Sequence, residues 1–143
     1  LKTLPEAPFS LICDSDEAEI IKYAHNVSGY AQIVTFNLIY DLAHSMGHDW
    51  KCIGEALMAD PFISNRYANP VHKSGRGAGG NCFIKDFAAF AEFYKQKIND
   101  PSGSKMFRAL EEKNINLLVR SDKDISVLKN IYGDKIIDSY TKN

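Results

Sequence analysis

The sequence predicts an all-α domain organised around one long central helix, and three observations predict it. From about Ala18 to about Met46 no proline interrupts, and Ile20, Ile21, Ala24, Val27, Ala31, Val34, Leu38 and Leu42 recur at three- and four-residue steps, the period of a helix. A second stretch, from Cys82 to about Ile98, carries Phe83, Phe87, Phe90, Phe93 and Tyr94 at helical steps, which reads as a core-facing stripe. The one short apolar run offered as a strand, Phe9–Cys13, lies at the entry to the domain.

The elements follow in order. Asp14-Ser-Asp-Glu-Ala-Glu19 supplies capping candidates and an acidic first turn. The helix that it opens has roughly seven or eight turns at about 3.6 residues each. Gly29 weakens its middle without breaking it. Ile33, Phe36, Ile39 and Tyr40 make a second face apolar, and a long helix that is apolar most of the way round is buried on several sides, often against a symmetry mate. Gly47 ends it. His48-Asp49 starts a shorter helix, Trp50 to about Met58, and Asp60-Pro61 stops that one. Residues 60–81 read as a long loop with two prolines and four glycines, and such a loop inside a compact domain is usually functional. After the Cys82 helix, Asn99-Asp-Pro-Ser-Gly103 reads as a turn and Ser104 to Asn114 as a helix. The run Asn116–Ser121 is ambiguous. Ser121-Asp-Lys-Asp124 opens a short helix to about Tyr132, closed by Gly133, and the polar remainder is expected to fray.

Composition bounds the function. With 143 residues there is enough chain for one domain with a real core. The net charge of -1 gives no bulk electrostatic case for nucleic acid or an anionic membrane. The three cysteines, Cys13, Cys52 and Cys82, are widely spaced, which argues against a disulfide framework or zinc ribbon and for a reducing, cytoplasmic setting. No run is apolar enough to span a bilayer. His44 and His48 have metal-ligand spacing, but Gly47 and the helix end fall between them, so no metal site is expected.

The chemistry concentrates in Lys73-Ser-Gly-Arg-Gly-Ala-Gly-Gly-Asn-Cys-Phe-Ile-Lys-Asp86. The glycines Gly75, Gly77, Gly79 and Gly80 lead into Cys82 at the start of a helix, where free N–H groups and the macrodipole favour a thiolate and bind anions. Cys82 and Asp86 are one turn apart on one face. Cys13 and Cys52 lack this context and read as structural. Gly75–Gly80 fits G-x-G-x-x-G literally, but Ala68–Ser74 reads as no strand, so a dinucleotide fingerprint is not supported. The loop instead suits wrapping a ligand with its backbone, flanked by Lys73 and Arg76. Lys22 and Asn26 share a face of the long helix. His25 and His72 have no obvious triad partners, which leaves Cys–His nucleophilic catalysis weakly supported.

Ala18-Glu-Ile-Ile-Lys-Tyr-Ala-His-Asn26, then Asp60-Pro61, then Gly77-Ala-Gly-Gly-Asn-Cys-Phe-Ile-Lys-Asp86 resemble the central domain of the UDP-glucose/GDP-mannose dehydrogenase family, from about Ala18 to about Phe93. The resemblance implies a 6-phosphogluconate-dehydrogenase-like helical middle domain, spanning 14–115. Residues 1–13 would be a linker and the end of an N-terminal NAD-binding domain, and 116–143 an extension toward a third domain. It implies oxidation of a nucleotide sugar at C6 from alcohol to carboxylate, with NAD and without metal. Cys82 would be the nucleophile, Lys22 and Asn26 the oxyanion donors, and Asp86 the proton-transfer or water-positioning group. Lys73, Ser74, Gly75, Arg76, Gly77 and Gly79 would wrap the substrate, and Lys85 would lie near the cofactor. The long helix would form a homodimer core. The chain departs from the family pattern at Phe62, where an arginine is usual, and at Ala78, Asn81 and Leu38. A non-catalytic helical dimerisation module of the same fold therefore stands as the alternative, and the chain alone is expected to be inactive.

Overall fold

The long helix is present as α1, Ser15–Ser45, 31 residues and so about 46 Å of axis. The Asp14 N–H donates to Glu17 Oε2 at 3.0 Å at its start. The computed structural model describes residues 8–63, 65–73 and 75–141. Gly29 is buried within α1 because two rings cross there. A Cβ at this position would lie 2.9 Å from Tyr67 and 3.1 Å from Phe83. Phe9–Cys13 is not a strand. It is irregular, and Phe9, Leu11 and Ile12 are exposed, with no strand beside it to pair among the described residues.

Asp49 caps α2, Trp50–Ala59, through its carboxylate, which accepts from Lys51 N. The glycine-rich stretch has more structure than expected. A 3₁₀ turn covers Asn65–Tyr67, and β1, Val71–His72, pairs antiparallel with β2, Gly75–Arg76. This two-residue hairpin turns at Lys73, whose φ is 57°. Its brevity explains why no alternation betrayed it.

Gly80, at φ 81°, admits the chain to α3, Asn81–Lys97. α3 packs along α1. Tyr30 of α1 and Phe87 of α3 stack with centroids 3.8 Å apart, and with Val34 and Ala78 they form one core cluster. Phe93, expected in the core stripe, is half exposed, since the inward face of α3 has rotated to Phe90 and Tyr94, which meet Phe107. The expected turn at Asn99–Gly103 is instead a helix start. Asp100 Oδ1 accepts from Ser102 N and Gly103 N, and Pro101, whose missing N–H costs nothing in a first turn, opens α4, Pro101–Arg120. α4 therefore absorbs both the Ser104–Asn114 helix and the ambiguous run, passing residue 115 unbroken. α5, Ile125–Tyr132, and α6, Lys135–Thr141, follow. α6 is packed rather than frayed. Ile136, Ile137 and Tyr140 lie against the second core cluster of Ile84, Ile115, Leu118 and Leu128. Cys52, read as structural, is exposed, because α2 turns Ile53, Gly54 and Leu57 inward and leaves position 52 outside.

Candidate active site

Two side chains of α1 meet a carboxylate of α3 that lies 60 or more residues further along the chain, where α1 crosses the first turn and a half of α3. Asn26 Nδ2 donates to Asp86 Oδ2 at 2.7 Å, and Lys22 Nζ lies 3.3 Å from the same oxygen. Lys85 Nζ approaches the other oxygen at 3.6 Å. Helical spacing puts Lys22 and Asn26 on one face of α1 and Asp86 on the facing side of α3. Asp86 is buried while both ammoniums are more than half exposed. Burial alone would raise the Asp86 carboxyl. The hydrogen bond from Asn26, together with Lys22 and then Lys85, outweighs that and holds it below the usual carboxylate range. The cluster thus sets two ammoniums against one carboxylate, an environment that favours added negative charge.

Cys82 is the second residue of α3 and is exposed. It precedes Asp86 by four residues and shares its face. A solvent-reachable sulfur at a helix N-terminus can accept an electrophile, and a buried carboxylate one turn along can orient water toward an adduct on it.

The glycine run is held from behind by the α4–α5 corner. Arg76 N donates to Ser121 Oγ at 2.9 Å, Ala78 N to Asn114 Oδ1 at 2.7 Å and Gly80 N to Asp124 Oδ2 at 2.7 Å. Asn114 Nδ2 returns a bond to Ala78 O, and the buried Lys123 Nζ donates to Gly77 O at 2.8 Å. At Gly77, with φ 92°, a Cβ would stand 2.9 Å from Asn114 Oδ1. At Gly79 it would overlap the Asp124 carboxylate. Alternate N–H groups of the run are therefore bound to the protein's own side chains. Lys73, Gly77 and Gly79 line a cavity of about 270 Å³, with Arg66, Tyr67 and Phe83 across it. This is just below the usual range of ligand pockets, about 300–1,000 Å³.

Arg76 is placed elsewhere than Lys73. Its Nε and Nη2 bond Asn37 Oδ1 and Asn37 O, its Nη2 meets Asp41 Oδ1 at 2.6 Å, and its guanidinium stacks on Tyr40. Gly75 packs against Ser121 and Lys123. Ser74 lies outside the described residues. His25 Nε2 stands 3.5 Å from the Tyr67 hydroxyl, and His72 lines the cavity. Among the described residues no three His, Cys, Asp or Glu side chains gather as a metal site. Sequence reasoning missed Asn114, Lys123 and Asp124. Asn114 had a signal, a lone amide within the apolar steps Leu110, Leu117 and Leu118 of α4. Lys123 had none.

Comparison with known proteins returns the same region. The central-domain model of the UDP-glucose/GDP-mannose dehydrogenase family matches residues 16–116. A UDP-glucose 6-dehydrogenase of Rickettsia bellii is 31% identical over 104 residues, 73% of this chain and 22% of that protein. A Bacillus subtilis UDP-glucose 6-dehydrogenase is 32% identical over 79 residues, 55% of this chain and 17% of its own length. An uncharacterised protein of Methanocaldococcus jannaschii is 29% identical over 122 residues, 85% of this chain and 13% of that protein. The chain spans between about an eighth and a fifth of the length of these relatives. No solved structure gives a significant match.

Proposed function

The chain belongs to the UDP-glucose/GDP-mannose dehydrogenase family, whose central domain it carries, and on that premise we propose that it is the catalytic middle of an enzyme oxidising a nucleotide sugar from alcohol to carboxylate. The observation that carries the reading is the convergence of Lys22, Asn26 and Asp86 one turn from Cys82.

The described residues contain no strand–loop–helix unit for a dinucleotide. The literal G-x-G-x-x-G follows a two-residue strand of a hairpin rather than a βαβ unit, so this chain does not fit NAD by itself. We assign NAD to a further domain of a longer protein, with Lys85 as this chain's contribution, and the chain alone is inactive. When bound there, two equivalents of NAD⁺ in turn would supply the hydride acceptor for the two oxidations.

The roles proposed for this chain's residues are supported by the grouping of Lys22 and Asn26 around Asp86 and by the one-turn spacing of Cys82 from Asp86. The C6 alcohol first gives up a hydride and its hydroxyl proton to become an aldehyde, and Cys82 Sγ attacks that aldehyde, forming a C–S bond and placing negative charge on oxygen. Lys22 Nζ and the Asn26 amide stabilise that charge, in a site already biased toward anions. Loss of hydride converts the thiohemiacetal to a thioester. Asp86, held ionised, takes a proton from the attacking water, the C–S bond breaks and the thiolate leaves. Lys73 and the glycine run form the substrate wall.

The long helix is the core of a homodimer in this reading. Ile21, Leu38 and Leu42 of α1 are each about half or more exposed among the described residues. No helix among the described residues is long and apolar enough to cross a membrane. The test uses the full reading frame carrying this domain, with UDP-glucose and NAD⁺. Wild type releases sugar acid. Cys82→Ser stops at or before the aldehyde, and undiminished acid formation by Cys82→Ser would refute the assignment.

A further inference from the structure

A second polar cleft, of about 350 Å³, lies between the C-terminal half of α1, β2 and α4, lined by Asp41, Arg76, Lys113, Asn116 and Arg120. It is a separate place from Cys82. Asp41 is fifteen residues along α1 from Asn26, about 22 Å of helix axis. Its charges do not balance. Asp41 is the one anion, and it is shared, its Oδ1 with Arg76 at 2.6 Å and its Oδ2 with Lys113 at 3.1 Å. Arg120 adds a third cation, and neither its guanidinium nor the Asn116 amide is paired with any described residue.

Two of the cations are also fixed in place. Arg76 is about three-quarters buried, clamped by two bonds to Asn37 and stacked on Tyr40 with its guanidinium 4.7 Å from the ring centre. Lys113 is about 70% buried and anchored by Asp41. Ordering of long side chains is a main cost of binding an anion at a protein surface, and here it has been met in folding. Lys113, Asn116 and Arg120 follow at i, i+3 and i+7 on one face of α4, so the donors converge from two sides.

We propose that this cleft binds a phosphoryl dianion, with Arg120, Lys113 and Arg76 as its charge partners and the Asn116 amide as a neutral donor. A single carboxylate against three cations leaves two positive charges, the number a phosphate monoester or diphosphate brings. A forked guanidinium binds phosphate and carboxylate oxygens alike, so it is the two uncompensated positive charges that favour a dianion over a monovalent carboxylate. Arg76 belongs to the same run as Cys82, so an occupant touches the strand that enters the candidate active site.

The test is calorimetric titration of this chain with pyrophosphate, and separately with inorganic phosphate and acetate, at near-physiological ionic strength. Saturable one-to-one binding of pyrophosphate is expected, with acetate giving none. Arg120→Gln and Lys113→Gln each weaken it about tenfold or more, as expected for loss of one charge-assisted contact. Arg108→Gln is the control, since Arg108 lies on another face of α4 paired with Glu112 and is exposed. It should leave binding unchanged, with circular dichroism confirming that each variant is folded. Linear heats without saturation, equal binding of acetate, or equal losses in Arg108→Gln and Arg120→Gln would overturn the proposal.

Discussion

Replacing Asn26 by Ala removes the shortest contact to the buried Asp86 carboxylate, the 2.7 Å bond to Oδ2. The Asp86 side chain is 3% exposed, and alanine leaves its Oδ2 without that donor in a largely desolvated setting. A hydrogen bond to a charged group is worth about 1.5–3 kcal/mol, and that is the expected loss of stability at pH 7. For a domain of this size it lowers Tm by about 4–10 °C. The pH dependence has a definite sign. The Asp86 carboxyl is held below its ordinary range against the effect of burial, chiefly by Asn26. Its contribution is therefore present above the unfolded carboxyl's pKa, about 3.9, and disappears as pH falls through the lower folded value. The gap between wild type and Asn26→Ala should be full at pH 7 and close below about pH 4. Urea unfolding at a series of pH values reads it. A gap under about 0.5 kcal/mol at pH 7, or one that persists unchanged in acid, would show that the bond does not hold the carboxylate.

Lys22→Ala should cost less than Asn26→Ala, about 1 kcal/mol or below in the same unfolding assay, because the Lys22 side chain is 58% exposed and its ion pair is screened by water. Asn114→Ala cuts both bonds to Ala78 within a buried site and should destabilise by about 2–4 kcal/mol, whereas Asn116→Ala should fall within about 0.5 kcal/mol. Glu111 is raised by burial, which outweighs the hydrogen bond it accepts from Tyr132, so its ionisation opposes folding as pH rises through the carboxyl range. Glu111→Gln should accordingly stabilise the domain at pH 7, with the gain vanishing in acid. Iodoacetamide should label Cys82 faster than Cys52 when followed by peptide mass spectrometry. Both are exposed, but Cys82 stands in the first turn at the N-terminus of α3, and equal rates would remove the helix-terminus argument for its reactivity.

What was legible in the sequence is what local chemistry determines. The period of α1, the caps at Asp14 and Asp49, and the glycine entry to α3 depend on neighbours within a few residues, and they were readable. So was the sharing of faces by Lys22 with Asn26 and by Cys82 with Asp86. The meeting of Lys22 and Asn26 with Asp86 was implied only by resemblance, since nothing local brings positions 26 and 86 together. The hairpin at Val71–Arg76 was too short to show a pattern. The start of α4 was misread because Asn-Asp-Pro-Ser-Gly satisfies the rules for a turn and for a capped helix alike. Arg76 looked like a ligand-facing base on a loop, and only the fold reveals Asn37 and Asp41 waiting for it on α1. Lys123 and Asp124, which brace the glycine run from 46 and 44 residues away, are long-range partners that composition cannot announce.

The most direct test of the account is to catch the sugar on Cys82. In the full reading frame, Asp86→Asn keeps a hydrogen-bonding group of the same shape but cannot take a proton from water, so hydrolysis of the thioester slows more than its formation. Intact-mass and peptide mass spectrometry after mixing this variant with UDP-glucose and NAD⁺ should find a nucleotide-uronyl adduct on the peptide containing Cys82, absent when Cys82 is also replaced by Ser. Acid formed at the wild-type rate without any adduct, or an adduct carried by another residue, would contradict it.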